Sequence, residues 1–254
     1  MSDLTSVVLK WTRANEHLKA VEGSIKTYTK ANPCTVVAQI EPDTGEKFWR
    51  VEGEPLAPPQ LLNPFIGDTL YNYRSALDHL AWQLVLEARN IPTEKTAFLI
   101  CDDPHRFESL SPVRLAGMSQ PMRTAIKDLQ PCYGGHPYRD LALWSLESLG
   151  NIDKHRHFNL TLSATDGGFW IPGLPLDAPG KVFIYSGPIE DGTVLARVPR
   201  EYVDVDFYPA LGIAFDQGGP TAREILFGIN EVVAGIIEDF GNRFFGLSLN
   251  LPRY

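Results

Sequence analysis

Two short polar stretches of the chain combine residue types that can bind phosphate and transfer protons. The first reads Arg74-Ser75-Ala76-Leu77-Asp78-His79, and the second reads Asn151-Ile152-Asp153-Lys154-His155-Arg156-His157. A guanidinium group binds phosphate or carboxylate through paired hydrogen bonds, and an imidazole exchanges protons near neutral pH. Both stretches fall where helical periodicity leads us to expect apolar residues, so they are the best candidates for a functional site.

A long amphipathic helix is predicted to carry the first stretch. Its apolar face is formed by Ile66, Leu70, Tyr73, Leu77, Leu80, Ala81 and Leu84. Arg74 lies at the edge of this face, and Asp78 follows one turn later, where the two side chains can pair along the helix. His79 shares a flank with Ser75.

A second helix is predicted to begin after His136-Pro137, since proline suits the first turn of a helix. It points Ala142, Leu146 and Leu149 inward, and Asp153 continues that row. We therefore expect Asp153 to be buried and to need a partner. Arg74 is the expected partner, with a bidentate pair possible.

The rest of the chain predicts an α+β protein. A heptad stripe marks a first helix that ends at Asn32-Pro33, and residues 34–53 read as a β-hairpin. Residues 91–117 look irregular apart from a short strand at 97–100, and a short helix is expected near 119–129. Residues 158–215 read as β, and a capping box, Thr221 to Glu224, opens a last helix.

We therefore predict one domain over residues 1–254. It is a bundle of about four long helices, with an N-terminal β-hairpin and a larger antiparallel β insertion before the last helix.

Composition bounds the possible functions. The chain has 254 residues and a net charge of −8, which argues against broad, nonspecific binding of nucleic acid. Three cysteines in no framework spacing indicate free buried thiols in a reducing compartment. No signal peptide and no apolar run of about 20 residues is present, so we expect a cytoplasmic protein that does not enter the membrane. No P-loop or dinucleotide fingerprint points to a cofactor, and none is expected.

The segments LYNYRSALDHLAWQLV, LQPCYGG and LGNIDKHRHFNL resemble a group of uncharacterised bacterial and phage-type proteins. The shared pattern is an "R-ALDHL" helix followed by an "N-DKHR" segment, and the likeness covers roughly residues 60–165. This group supplies no activity to transfer.

The chain is also similar, more distantly, to the HEPN superfamily of helical-bundle proteins. Many members are metal-independent ribonucleases of toxin and antiviral systems, with an Arg-x4-6-His motif at a dimer interface. Arg74 and His79 match that spacing, whereas Ser75 stands where the family usually has Asn, Asp or His. The β insertion also departs from the family.

This resemblance implies a homodimer that cleaves or binds RNA. His79 would move a proton at the ribose 2′-hydroxyl or the leaving oxygen, Arg74 would hold the phosphate, and Asp153 would orient Arg74. Lys154 or Arg156 would guide the RNA backbone. The full set of expected substrate-binding residues is Ser75, Asp78, Asn151, Lys154, His155 and Arg156.

Two other classes of function stay open. Arg74, Asp153 and His79 could form a structural network in a non-enzymatic binding or scaffold protein, with the first-helix stripe or Trp170 marking partner surfaces. A metal site is the further alternative, with His79, Asp153 and His157 as ligands, because Asp153 and His157 are separated by one helical turn.

Overall fold

A computed structural model of the chain describes residues 3–164, 182–215 and 219–252. It has the predicted α+β class, with six α-helices and two antiparallel sheets in these ranges. The chain divides into two compact units. The first comprises Met1–Ala20, Asn63–His157 and Ile225–Tyr254, and the second comprises Val21–Leu62 and Phe158–Glu224. The expectation of one domain over residues 1–254 stays a prediction.

The helices follow the apolar periodicity of the sequence. They are α1 (Thr5–Lys30), α2 (Leu62–Glu87), α3 (Pro104–Arg114), α4 (Gln120–Asp128), α5 (Pro137–Asp153) and α6 (Ala222–Phe245). The heptad stripe of α1 is buried along its whole length, as predicted. Asn32 adopts a left-handed conformation with φ of 51°, so the chain turns before Pro33 and the helix stops.

The predicted capping box at the start of α6 is confirmed. The backbone N–H of Glu224 donates to the hydroxyl of Thr221 at 3.2 Å. In return, the Glu224 carboxylate accepts from the Thr221 backbone N–H at 2.7 Å. These reciprocal bonds satisfy donors that the first turn of a helix leaves without partners.

Within the described residues of the second unit, seven strands form two sheets. They are β1 (Thr35–Ile40), β2 (Lys47–Glu52), β3 (Leu160–Ala164), β4 (Phe183–Ile184), β5 (Gly187–Pro188), β6 (Val194–Val198) and β7 (Leu211–Phe215). The four-stranded sheet has the order β1-β2-β6-β4, and the three-stranded sheet has the order β5-β3-β7.

The predicted hairpin is confirmed, with Thr35 opposite Glu52 and Ile40 opposite Lys47. It does not stand alone, because β2 also pairs with β6. An isolated two-stranded hairpin is marginally stable, and pairing with β6 removes one exposed edge. Trp170, a candidate marker of a partner surface, lies outside the described residues.

Residues 91–117 differ most from expectation. The stretch expected to be irregular contains α3, which is capped by Asp103: its carboxylate accepts from the backbone N–H of His105 at 2.9 Å. The strand expected at 97–100 is not formed, although the segment is buried from Phe98 onward. Side chains from α2 and Gln130, just after α4, bond to backbone groups of this segment in place of a neighbouring strand.

Among the helices in the described ranges, none combines the length and the apolar character that crossing a bilayer requires.

Candidate functional site

Arg74 is the centre of a polar network between α2 and α5. Its Nη1 donates to Glu147 Oε2 at 3.0 Å, and its Nη2 donates to the backbone carbonyl of Phe98 at 2.5 Å. The predicted pair with Asp78 is present, with Nε and Nη2 at 3.4 and 3.3 Å from the two carboxylate oxygens. The Arg74 side chain is 26% exposed. The guanidinium therefore makes four hydrogen bonds within the protein, and these fix its orientation.

The same network holds the buried segment that leads into α3. Asp78 accepts from the backbone N–H of Phe98 at 3.0 Å, while Arg74 donates to the carbonyl of that residue. Further along, the fully buried amide of Gln130 accepts from the backbone N–H of Cys101 and donates to the carbonyl of Leu99, both at 2.9 Å. Buried backbone groups must be paired, so these three side chains replace a partner strand.

His79 lies on a different side of α2 from Arg74. At 100° per residue, five positions separate the two side chains by about 140° around the helix axis. His79 and Asp78 line an open cavity of about 350 Å³. The other residues lining it are Ser6, Trp82, Gln83 and Thr96. Arg74 does not line this cavity. It acts on the cavity indirectly, because its guanidinium orients the carboxylate of Asp78.

The surroundings of His79 favour its neutral form. Burial lowers the pKa of the imidazole, and the positive charge of Lys10 lowers it further. The carboxylate of Asp78 opposes both effects but does not outweigh them. A neutral imidazole can accept a proton at neutral pH, which is the state that a general base requires.

The expectation that Asp153 is buried and pairs with Arg74 is wrong. Asp153 is exposed at the last residue of α5, because burial along this helix fades after Leu146. Arg74 pairs with Glu147 instead, one position round from the predicted inward row. Asp153 and Arg74 do line one small cavity of about 60 Å³, together with Gly67.

Asp153 nevertheless packs closely against α2. The backbone of Gly67 comes so near its carboxylate that a Cβ atom at Gly67 would lie 2.5 Å from Asp153 Oδ1. This partial burial raises the pKa of Asp153, the negative charge of Asp68 raises it further, and His157 opposes both. The carboxylate of Asp153 is thus less hydrated than the exposure of the residue as a whole indicates.

The remaining predicted site residues do not converge on His79. Lys154 lines the small cavity with Asp153, and its Nζ donates to the side-chain oxygen of Asn151 at 3.3 Å. His155, Arg156 and His157 are all exposed beyond the end of α5. Ser75 is half-buried on α2 and is among the lining residues of neither cavity. Arg74 of the first stretch therefore shares the small cavity with Asp153 and Lys154 of the second, whereas Asp78 and His79 line a different cavity.

Sequence reasoning missed the residues that complete these surfaces. Glu147 has Arg106 as a second, looser partner at 3.8 Å, and both line a third cavity of about 270 Å³. Asn151, Asp102 and the exposed Trp144 also line it. Glu147 directly follows Leu146 of the inward row of α5, and this position beside the apolar face was the available sequence signal.

The metal alternative finds no support in the side-chain positions. Within the described ranges, no group of three or more His, Cys, Asp or Glu side chains is arranged to hold a metal ion. His79 lines a different cavity from Asp153, and His157 lines neither of those two cavities.

Comparison with protein-family models, with curated proteins and with solved structures finds no match to this chain.

Proposed function

We propose that the chain is a HEPN-like, homodimeric protein that cleaves single-stranded RNA without a metal ion. One observation carries the proposal: His79, whose pKa is lowered, lines an open cavity of about 350 Å³ beside the carboxylate of Asp78. A neutral base next to a fixed negative charge suits abstraction of a hydroxyl proton, because the imidazolium that forms is stabilised by the neighbouring carboxylate.

The reaction would be an internal transesterification. His79 takes the proton of a ribose 2′-hydroxyl, and the oxygen attacks the adjacent phosphorus. The P–O5′ bond breaks, and the 5′-oxygen leaves with a proton from a second acid, for which His79 of the other protomer is the candidate. The products are a 2′,3′-cyclic phosphate and a free 5′-hydroxyl, and no water or cofactor is consumed.

The other residues take roles that fit their contacts. The Trp82 side chain is 43% exposed and offers a face on which a base can stack, a contact worth about 1–3 kcal/mol. Lys10, which acts electrostatically on His79, is the candidate phosphate partner. Arg74 spends four hydrogen bonds elsewhere, so we assign it to holding Asp78 rather than the phosphate.

The test is cleavage of an unstructured RNA by the purified protein in excess EDTA. We expect fragments ending in 2′,3′-cyclic phosphate, and no cleavage of the same sequence made with 2′-deoxyribose. His79→Ala should lower the rate by at least 100-fold. His105→Ala is the matched control, because His105 is an exposed histidine on α3.

The outcome that overturns the proposal is equally definite. Cleavage that is equal in wild type and His79→Ala comes from a contaminant, and absence of cleavage at any pH removes the assignment. The pH profile adds a second criterion, since it should be bell-shaped. The rate falls at acidic pH as the base His79 becomes protonated, and at alkaline pH as the acid His79 of the other protomer loses its proton. Analytical ultracentrifugation tests the homodimer separately.

A non-enzymatic binding protein is the second candidate. It is favoured because the guanidinium of Arg74 already makes four hydrogen bonds within the protein. Three of these bonds go to the carboxylates of Asp78 and Glu147 and one to the Phe98 carbonyl, so the guanidinium is well explained as a link between α2, α5 and the Phe98 segment. RNA binding to the Trp82 surface without cleavage would support this candidate. Wild-type protein that retains RNA on a filter, with Trp82→Ala losing it, is the expected result.

A further inference from the structure

Two of the three cysteines come together where the segment after Ile100 meets the turn after α4. The backbone N–H of Cys132 donates to the carbonyl of Cys101 at 3.0 Å. Covalent geometry keeps the Cα atoms of two residues joined by such a bond within about 7 Å of each other. Disulfides usually bridge Cα atoms separated by about 4.4–6.8 Å, so the backbone already holds this pair at a suitable distance.

The two thiols differ in access. Cys101 is 1% exposed, whereas Cys132 is half-buried in the short 3₁₀ turn Pro131–Tyr133. A reagent in solution can therefore reach Cys132 but not Cys101. Of the three cysteines expected to be buried, only Cys101 is fully so.

The electrostatics of the pair agree with this closeness. Burial raises the pKa of the Cys101 thiol most, Arg106 opposes this, and a charge on Cys132 raises it again. Burial likewise raises the pKa of Cys132. A negative charge on Cys132 disfavours the thiolate of Cys101, which is expected of two sulfurs that lie close together.

We propose that Cys101 and Cys132 are a thiol modification site that forms an intramolecular disulfide with a small-molecule disulfide as oxidant. The Cys132 thiolate attacks one sulfur of the oxidant, whose S–S bond breaks and releases one thiolate. The Cys101 thiolate then attacks the Cys132 sulfur and expels the second. The protein pair loses two electrons and two protons, and the oxidant becomes two thiols.

The disulfide would close a loop that contains α3 and α4 and would brace the third cavity. Ile100, Asp102 and Pro131, the sequence neighbours of the two cysteines, line that cavity. Because a cross-link restricts the unfolded chain, we expect oxidation to raise the Tm by roughly 5–10 °C. The reaction should be slow at neutral pH and faster at alkaline pH, because the thiolate is the nucleophile.

The experiment is incubation of the full-length protein with oxidised glutathione, followed by peptide mapping without reduction. We expect a peptide linking Cys101 to Cys132, reversed by dithiothreitol, and no link from either residue to Cys34. Cys34 is half-buried like Cys132 and is the built-in control. The Cys101→Ala variant should instead accumulate glutathione on Cys132, because the second attack is lost.

Two results would overturn the proposal. One is a wild-type protein that keeps glutathione on Cys132 while Cys101 remains a thiol. The other is a folded protein whose three thiols all survive an oxidant that modifies the unfolded chain. Both results come from the wild-type chain, so neither depends on the folding of a variant.

Discussion

Removing Arg74 should destabilise the protein because two carboxylates and the Phe98 carbonyl lose their guanidinium partner. In Arg74→Ala, Glu147 loses its 3.0 Å partner and Asp78 loses both of its contacts with the guanidinium. A hydrogen bond to a charged group is worth about 1.5–3 kcal/mol, and partial exposure of Glu147 and Asp78 (26% and 37%) reduces this. We expect the free energy of unfolding to fall by about 3 kcal/mol.

The assay is urea unfolding followed by far-UV circular dichroism, with hydrogen exchange to locate the loss in α2 and α5. Arg243→Ala on α6 is the matched control. Its ion pair with Asp239 is also 3.0 Å long, but it lies at the surface, with the two side chains 48% and 51% exposed. We expect the control to cost less than about 0.5 kcal/mol.

A double variant separates the pair from the rest of the network. In Arg74→Ala with Glu147→Gln, the stranded charge on Glu147 is removed, so about 1 kcal/mol should be recovered. If Arg74→Ala lowers the free energy of unfolding no more than Arg243→Ala does, the Arg74 network contributes no more than a surface ion pair. That result would refute the reasoning.

Three further predictions concern single groups. Gln130→Ala should lower the free energy of unfolding by about 2–4 kcal/mol in urea, since it strands buried backbone groups of Leu99 and Cys101. His79 should titrate below its ordinary pKa of 6.5 in NMR, so the stability it contributes is present above pH 6.5 and is lost as the pH falls through the folded-state pKa. Gly67→Ala should displace the Asp153 carboxylate and return its raised pKa towards the ordinary value, again by NMR.

Each of these has a result that contradicts it. If Gln130→Ala lowers the free energy of unfolding only as much as Gln120→Ala at an exposed position, water has replaced the hydrogen bonds of Gln130. An ordinary or raised pKa at His79 would remove the neutral base, and stability that rises on acidification would do the same. An unchanged Asp153 titration in Gly67→Ala would show that the close approach does not cause the shift.

Local sequence patterns predicted the structure correctly wherever it depends on a single helix or hairpin. The α1 stripe, the hairpin around Gly45 and the Thr221 capping box depend on residues close in sequence, and the structure confirms all three. Gly45 adopts φ of 73°, which the turn requires and glycine permits.

Patterns failed where the deciding partner lies far along the chain. The segment at 97–100 has the composition of a strand, but the backbone groups of Phe98 and Leu99 bond to side chains from α2 and to Gln130. Helical periodicity extended the buried row of α5 to Asp153, because it carries no information on where the neighbouring helix ends. It therefore selected Asp153 rather than Glu147 as the partner of Arg74.

The side-chain anchoring of the Phe98–Cys101 segment has a consequence for how the sequence can vary. A strand in a sheet is specified by backbone groups that every residue carries, so its neighbours can change freely. Here Arg74, Asp78 and Gln130 are specific chemical partners of main-chain atoms. Substitutions among apolar residues within the anchored segment should be tolerated, whereas the three anchors, which lie far away in sequence, should not.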